Sequence, residues 1–159
     1  MDKKEWIYEA IEEANKNAAH HFKAGGPFGA IIEKDGKIIG RGHNTVILSK
    51  DPTAHAEINA IRMASQRLKT HDLSGCTLYV NAEPCPMCLS AIIWANIKNV
   101  YFANTKKEAG EIGFRDDMIY DFIKADNRNK KMLNMVHVED TGAIKAFEDF
   151  KKDDEKIMY

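Results

Sequence analysis

The stretch Glu83-Pro84-Cys85-Pro86-Met87-Cys88 holds two of the three cysteines in the chain. Pro86 and the apolar run after it predict a helix that opens at Pro86, where a missing backbone N–H costs nothing. Cys85 then sits at the cap and Cys88 in the first turn, on one face. The positive end of the helix dipole lowers thiol pKa values there and favours the thiolate. The spacing by itself leaves three fates open: a redox disulfide, an inert buried pair, or two metal ligands. Upstream lies His55-Ala56-Glu57. Glu57 shares a stripe with Ala60, Ile61, Ala64 and Leu68, and a carboxylate on an apolar stripe is costly unless paired or functional. Residues two apart on a helix are rotated by about 200°. His55 and Glu57 therefore serve one site only around the N-terminal end of their helix. Asp51 as a cap and Pro52 at the first helical position predict that end close by.

In order, these residues read H-x-E and then P-C-x-x-C, the pattern of zinc-dependent deaminases. The residue types suit the chemistry. A neutral His55 and thiolates at Cys85 and Cys88 cancel the charge of Zn²⁺. Three protein ligands leave the fourth tetrahedral position open to solvent, which marks a catalytic rather than a structural site. Glu57, not a ligand, is the candidate proton carrier between water, a ring nitrogen and a departing amine. The competing reading is a closed structural zinc site in a non-catalytic binding module, with Cys76 as fourth ligand. Residues 77–81, extended at about 3.3 Å each, carry the chain roughly 17 Å away from Cys76, so Cys76 reads as a small buried residue. His20, His21, His43, His71 and His137 show no ligand spacing.

The elements that must position this constellation follow from pattern. Ile7, Ala10, Ile11, Ala14, Ala18 and Phe22 recur at helical spacing, predicting a helix over 3–23 that ends at Gly25-Gly26-Pro27. Two β-rich runs flank Asp35-Gly36, a strong hairpin signal. Strands are predicted at 76–81, 99–104 and 132–138, and helices from Pro52, over 86–97, in pieces over 105–126, and over 142–158. This alternation predicts one α/β domain over 1–159 with a five-stranded mixed sheet.

The 159 residues suit a single core, and 44% hydrophobic with 30% charged content is ordinary for a globular domain. A net charge of −1 gives no global pull toward phosphate backbones or anionic membranes. Lys124, Arg128, Lys130 and Lys131 form a small basic run, but Asp121 and Asp126 interrupt it, so a solvated face is expected rather than an RNA grip. No apolar stretch approaches the roughly 18 residues of a membrane span, and the N-terminus has no signal-peptide core. An odd, low cysteine count argues against a disulfide framework. The expectation is a cytoplasmic protein with reduced thiols and no membrane or nucleic-acid partner.

Gly25-Gly26-Pro27-Phe28-Gly29-Ala30, Asn44, the stretch 51–57, the stretch 83–89, the stretch 113–120 and the final Tyr159 together resemble the cytidine deaminase-like superfamily, and within it the bacterial guanine deaminases. The resemblance covers nearly the whole chain. The first four segments recur in several branches, including tRNA adenosine deaminases and fungal-type cytosine deaminases; the last two point more narrowly to guanine deaminases. The resemblance implies a three-layer α/β/α fold and a zinc ion on His55, Cys85 and Cys88. It implies that Glu57 moves protons, with Asp116 as a second shuttle near the departing amine. Asn44, Phe28, Trp94 and the Ala56 main chain would contact a nucleobase. It further implies a homodimer that exchanges its C-terminal segment, so that Tyr159 closes the partner's pocket. Arg115 stands where the family often carries an acid, and the ungapped match places the shuttle at Asp116 rather than Asp117. From the residues alone, Asp116 or Asp117 reads as a helix cap, Asn44 as a turn residue, Phe28 and Trp94 as core, and Tyr159 as a frayed end. A tRNA adenosine or cytosine deaminase of the same superfamily is the alternative substrate class.

Overall fold

Asp2 opens the chain with a capping box: its side chain accepts from the Lys4 and Glu5 amides, while the Glu5 carboxylate accepts from the Asp2 N–H. The helix it starts, α1 (Lys3–Ala18), is shorter than its sequence pattern. His21 and Phe22 adopt left-handed φ values of 54° and 56°, and the Phe22 N–H closes onto Asn17 O, so the chain turns before the glycines. The computed structural model describes residues 1–159, which divide into two compact units, Met1–Asp116 and Asp117–Tyr159.

In the first unit, β1 (Gly29–Lys34) and β2 (Lys37–His43) form the expected hairpin. Asp35 and Gly36 both have positive φ, as a two-residue turn of that hand requires. A short helix α2 (Val46–Ser49) follows, then α3 (Ala56–Leu68), β3 (Thr77–Ala82), α4 (Pro86–Trp94), β4 (Asn99–Asn104) and α5 (Lys106–Glu111). The sheet order is β2-β1-β3-β4, antiparallel except for the parallel pair β3–β4. That pair is joined through α4, as a parallel crossover demands. Alternation along β1 splits the core. Ile31 packs with Trp6 of α1 and Tyr79 on one face, and Ala30 and Ile32 pack with α3 and α4 residues such as Ala60, Ala64 and Ile92 on the other. The first unit is thus a helix–sheet–helix sandwich.

Two expectations need correction. The sheet has four strands, not five: residues 132–138 form no ladder, and Leu133, Met135, Val136 and Val138 stand exposed. An apolar alternating run becomes a strand only where a neighbour supplies main-chain partners, and this run has none in the sheet. The second unit instead carries α6 (Asp117–Lys124) and α7 (Ile144–Lys152). Nor do Asp51 and Pro52 start α3. The Asp51 carboxylate accepts from the Thr53 N–H and hydroxyl at 2.8 and 2.7 Å, making a local turn, and the helix begins four residues later. Aspartate offers its side chain to either arrangement, and the turn prevails.

The close fit of α3 on β2 fixes where the site falls. A Cβ on Gly42 would land on the Ala56 carbonyl oxygen and 2.7 Å from the Ala60 nitrogen. The first turn of α3 therefore rests directly on bare backbone. Gly42→Ala should push that turn off the sheet. The expected loss is about the 1–3 kcal/mol typical of overpacking or more, read as a lower urea midpoint at unchanged slope.

Candidate metal and proton-transfer centre

α3 and α4 each begin on a residue with extended backbone and no side-chain cap: His55 for α3 and Cys85 for α4. Both side chains are free to turn toward each other instead of back onto their own helix. His55 Nδ1 lies 3.6 Å from Cys85 Sγ and 3.5 Å from Cys88 Sγ, and the three donor atoms fall within 4.8 Å of one another. A tetrahedral ion with zinc–sulfur bonds of about 2.3 Å and zinc–nitrogen bonds of about 2.0 Å places sulfur and nitrogen ligands about 3.6 Å apart. The donor set therefore fits Zn²⁺ in both type and spacing. All three cysteines are free thiols, and Cys76 lies in the apolar core at the other end of β3, which leaves three ligands and no fourth.

The local electrostatics suit a cation. A hydrogen bond from the Cys88 thiol holds Cys85 well below the ordinary thiol range, assisted by His55. Cys88 is pushed up by the same bond and by burial, so the proton shared by the two sulfurs resides on Cys88. The Cys85 thiolate in turn raises the His55 pKa. Glu57 occupies the first turn of α3, is 6% exposed and has its pKa raised, chiefly by burial. It lies close enough to interact with Cys88, Cys85 and His55, yet it is not one of the clustered donors. The end-on placement that His55 and Glu57 require is met: one residue caps α3 and the other sits in its first turn, with Ala56 between them.

The structure joins Asn44 and Phe28 to this centre through the main chain. The Asn44 N–H donates to Phe28 O, and the Thr45 N–H donates to Ala54 O, next to His55. Asn44 Oδ1 accepts from the Val46 N–H at 3.1 Å. That bond fixes the amide plane and leaves Nδ2 as the donating end. Phe28 is half-buried and meets Phe114 edge-on, with ring centroids 4.9 Å apart. Trp94 closes α4, six residues and about 9 Å of helix beyond Cys88. It is 65% exposed. Asp116 is the last residue of the first unit and Tyr159 the last of the second.

Three asparagines went unremarked in the sequence. Asn17 and Asn81 are buried and Asn59 is half-buried, and all three bond to main chain around Asn44 and Phe28. No pattern in the sequence sets them apart: Asn17 lies in the last turn of α1 and Asn81 one residue from the end of β3.

The comparisons with known proteins agree with this geometry. Residues 1–104 match the family model for the cytidine and deoxycytidylate deaminase zinc-binding region. Guanine deaminase from Bacillus subtilis is 46% identical over 128 residues, covering 79% of this chain and 82% of that protein. A tRNA-specific adenosine deaminase from Aquifex aeolicus is 44% identical over 113 residues, covering 70% and 72%. The crystal structure of the Bacillus subtilis guanine deaminase superposes with a TM-score of 0.92 at 40% identity, over 100% of this chain and 99% of that one. On these grounds the chain belongs to the cytidine and deoxycytidylate deaminase zinc-binding family, alongside the Bacillus subtilis guanine deaminase.

Proposed function

We propose that this protein catalyses the zinc-dependent hydrolytic deamination of guanine to xanthine and ammonia. The observation that carries the reading is the pairing of a three-ligand zinc set with a buried carboxylate that is not a ligand. The choice of guanine rests on the likeness to the Bacillus subtilis enzyme, which extends through the C-terminal segment, whereas the tRNA-specific relative matches 70% of the chain.

His55, Cys85 and Cys88 would hold the ion. When bound, zinc supplies Lewis acidity that makes water acidic near neutral pH. Glu57 takes the proton from the attacking water and delivers it to the ring nitrogen beside the amino-bearing carbon. The water oxygen bonds to that carbon, the carbon–nitrogen bond breaks, and the second water proton leaves with ammonia. Burial raises the basicity of Glu57 and so suits it to hold a proton between these transfers. Asp116 delivers the proton at the departing amine. The Asn44 Nδ2 donor faces a ring nitrogen or carbonyl oxygen of the purine. Phe28 and Trp94 offer stacking faces, and the Ala56 main chain sits between the zinc ligand and the proton carrier.

We infer further that the protein is a homodimer whose second unit is exchanged, with Tyr159 closing the partner's pocket. Supporting this are the division at Asp116/Asp117 and the exposed apolar run at 132–138, which has the alternation of a strand but no ladder here. A cytoplasmic location fits three unpaired thiols; no helix is long and apolar enough to cross a membrane.

Ammonia release across guanine, adenine, cytosine and a tRNA anticodon stem-loop tests the substrate; turnover of the stem-loop but not of guanine would move the protein to the tRNA branch. Glu57→Gln should keep its zinc, measured by metal analysis, and lose at least about 100-fold in kcat, as removal of a general acid–base does. Retained activity would exclude Glu57 as the proton carrier. Asp116→Asn should also keep zinc while slowing guanine turnover by about 100-fold; full turnover would transfer the role to Asp117 or abolish it. For exchange, Glu57→Gln chains are co-expressed with chains lacking Tyr159. Activity that reappears in the mixed dimer, when neither parent has it, requires Tyr159 to act across the dimer. A silent mixture places it on its own chain.

A further inference from the structure

Two of the three asparagines bracket the residues proposed to face the nucleobase. Asn17, on α1 and 1% exposed, spends both amide hydrogens on main-chain carbonyls: Gly26 O at 2.7 Å and Asn44 O at 2.8 Å. Asn81, on β3, accepts from the Gly29 N–H at 2.9 Å and donates to Pro27 O at 2.8 Å, so it grips the chain on both sides of Phe28. A Cβ on Gly25 would collide with Asn44 Oδ1. The loop and the Asn44 amide are therefore in direct contact, with no slack between them.

We infer that Asn17 and Asn81 are positioning residues for the nucleobase pocket, holding the Asn44 main chain and the Phe28 loop at a fixed separation. The inference rests on the proposed nucleobase deamination. The side-chain chemistry is selective. Asn81 must donate and accept at once, which a short amide does and neither aspartate nor leucine can. Asn17 must give two hydrogens from a single nitrogen to two strands of chain, in a space closed to longer donors. The bonds of both amides go to Gly26, Pro27, Gly29 and Asn44 and not to a zinc ligand, so their effect should fall on the pose of the substrate and not on metal loading.

A purely structural role would lower the melting temperature and leave the kinetics of the folded enzyme alone. Positioning splits KM from kcat, because Asn44 and Phe28 bind the base equally in ground and transition states. Asn17→Leu removes both donors at similar volume; Asn17→Ser retains one donor and covers the case in which the leucine variant fails to fold. Both are assayed as full-length, zinc-loaded protein. For Asn17→Leu, KM for guanine should rise about tenfold or more while kcat changes by less than about threefold, as loss of uniform binding does. Zinc should remain at the wild-type ratio, and Asn17→Ser should lie between. Wild-type KM and kcat in both variants, whatever their melting temperatures, would overturn the inference. Crystal structures of wild type and variant separate its failure from that of the guanine reading. If wild type releases no ammonia from guanine, a shift of about 1 Å in Asn44 relative to Phe28 still supports the clamp, and an unmoved Asn44 overturns it.

Discussion

Two helix N-termini meet at one point, and each gives up its cap to make that point a metal centre. His55 and Cys85 occupy cap positions with extended backbones, yet neither side chain bonds to its own helix. A missing cap costs about 1 kcal/mol per helix. Structural zinc in closed zinc-finger sites contributes about 10–16 kcal/mol of apparent binding energy near neutral pH; a fraction of that from three ligands outweighs the two lost caps. The arrangement has a second effect. The uncapped N–H groups and both helix dipoles present positive potential to the two sulfurs, which favours the Cys85 thiolate before any ion arrives, while Cys88 keeps the shared proton until a cation displaces it.

The sheet decides where those termini lie. β3 leads straight into the loop carrying Cys85, and β2 leads into the loop carrying Asn44. α3 can reach the same end of the sheet only because Gly40 and Gly42 let its backbone rest on β2. The Asn59 amide then fastens the junction, donating to His43 O at 2.9 Å and Thr45 Oγ1 at 3.0 Å from the turn of α3 that follows His55. Metal loop and Asn44 loop are thus set by one helix face, and a shift in either is felt by the other.

Features with local causes were legible in the sequence. Asp35-Gly36 could hardly be anything but a tight turn. Pro86 with a following apolar run defined the start of α4, and His55 with Glu57 could share a site only at a helix end. The features that were not legible depend on neighbours remote in sequence. The run at 132–138 has the alternation of a strand, but alternation cannot supply a partner. Asp51 offered a cap, and the choice between capping and turning was made by Thr53 and by how α3 sits on β2. Asn17, Asn59 and Asn81 carry no pattern that separates a buried, fully used amide from a solvated one. Their partners are carbonyls whose positions exist only once the sheet and α1 have packed.

Neutral amides are the appropriate material for that framework, and electrostatics says why. At an effective dielectric of 20, a unit charge about 10 Å from a titrating group interacts with it by roughly 1.7 kcal/mol, more than one pKa unit. A lysine or aspartate used to anchor the Asn44 and Phe28 loops would add such a charge to any titrating group within that range. Amides hold the same main chain through bonds of 2.7–2.9 Å with no net charge. Under the proposed function, pose and proton affinity can then be adjusted separately: the asparagines act on the main chain around Asn44 and Phe28, whereas the proton affinity of Glu57 is set chiefly by its burial, with the Cys85 thiolate and His55 beside it.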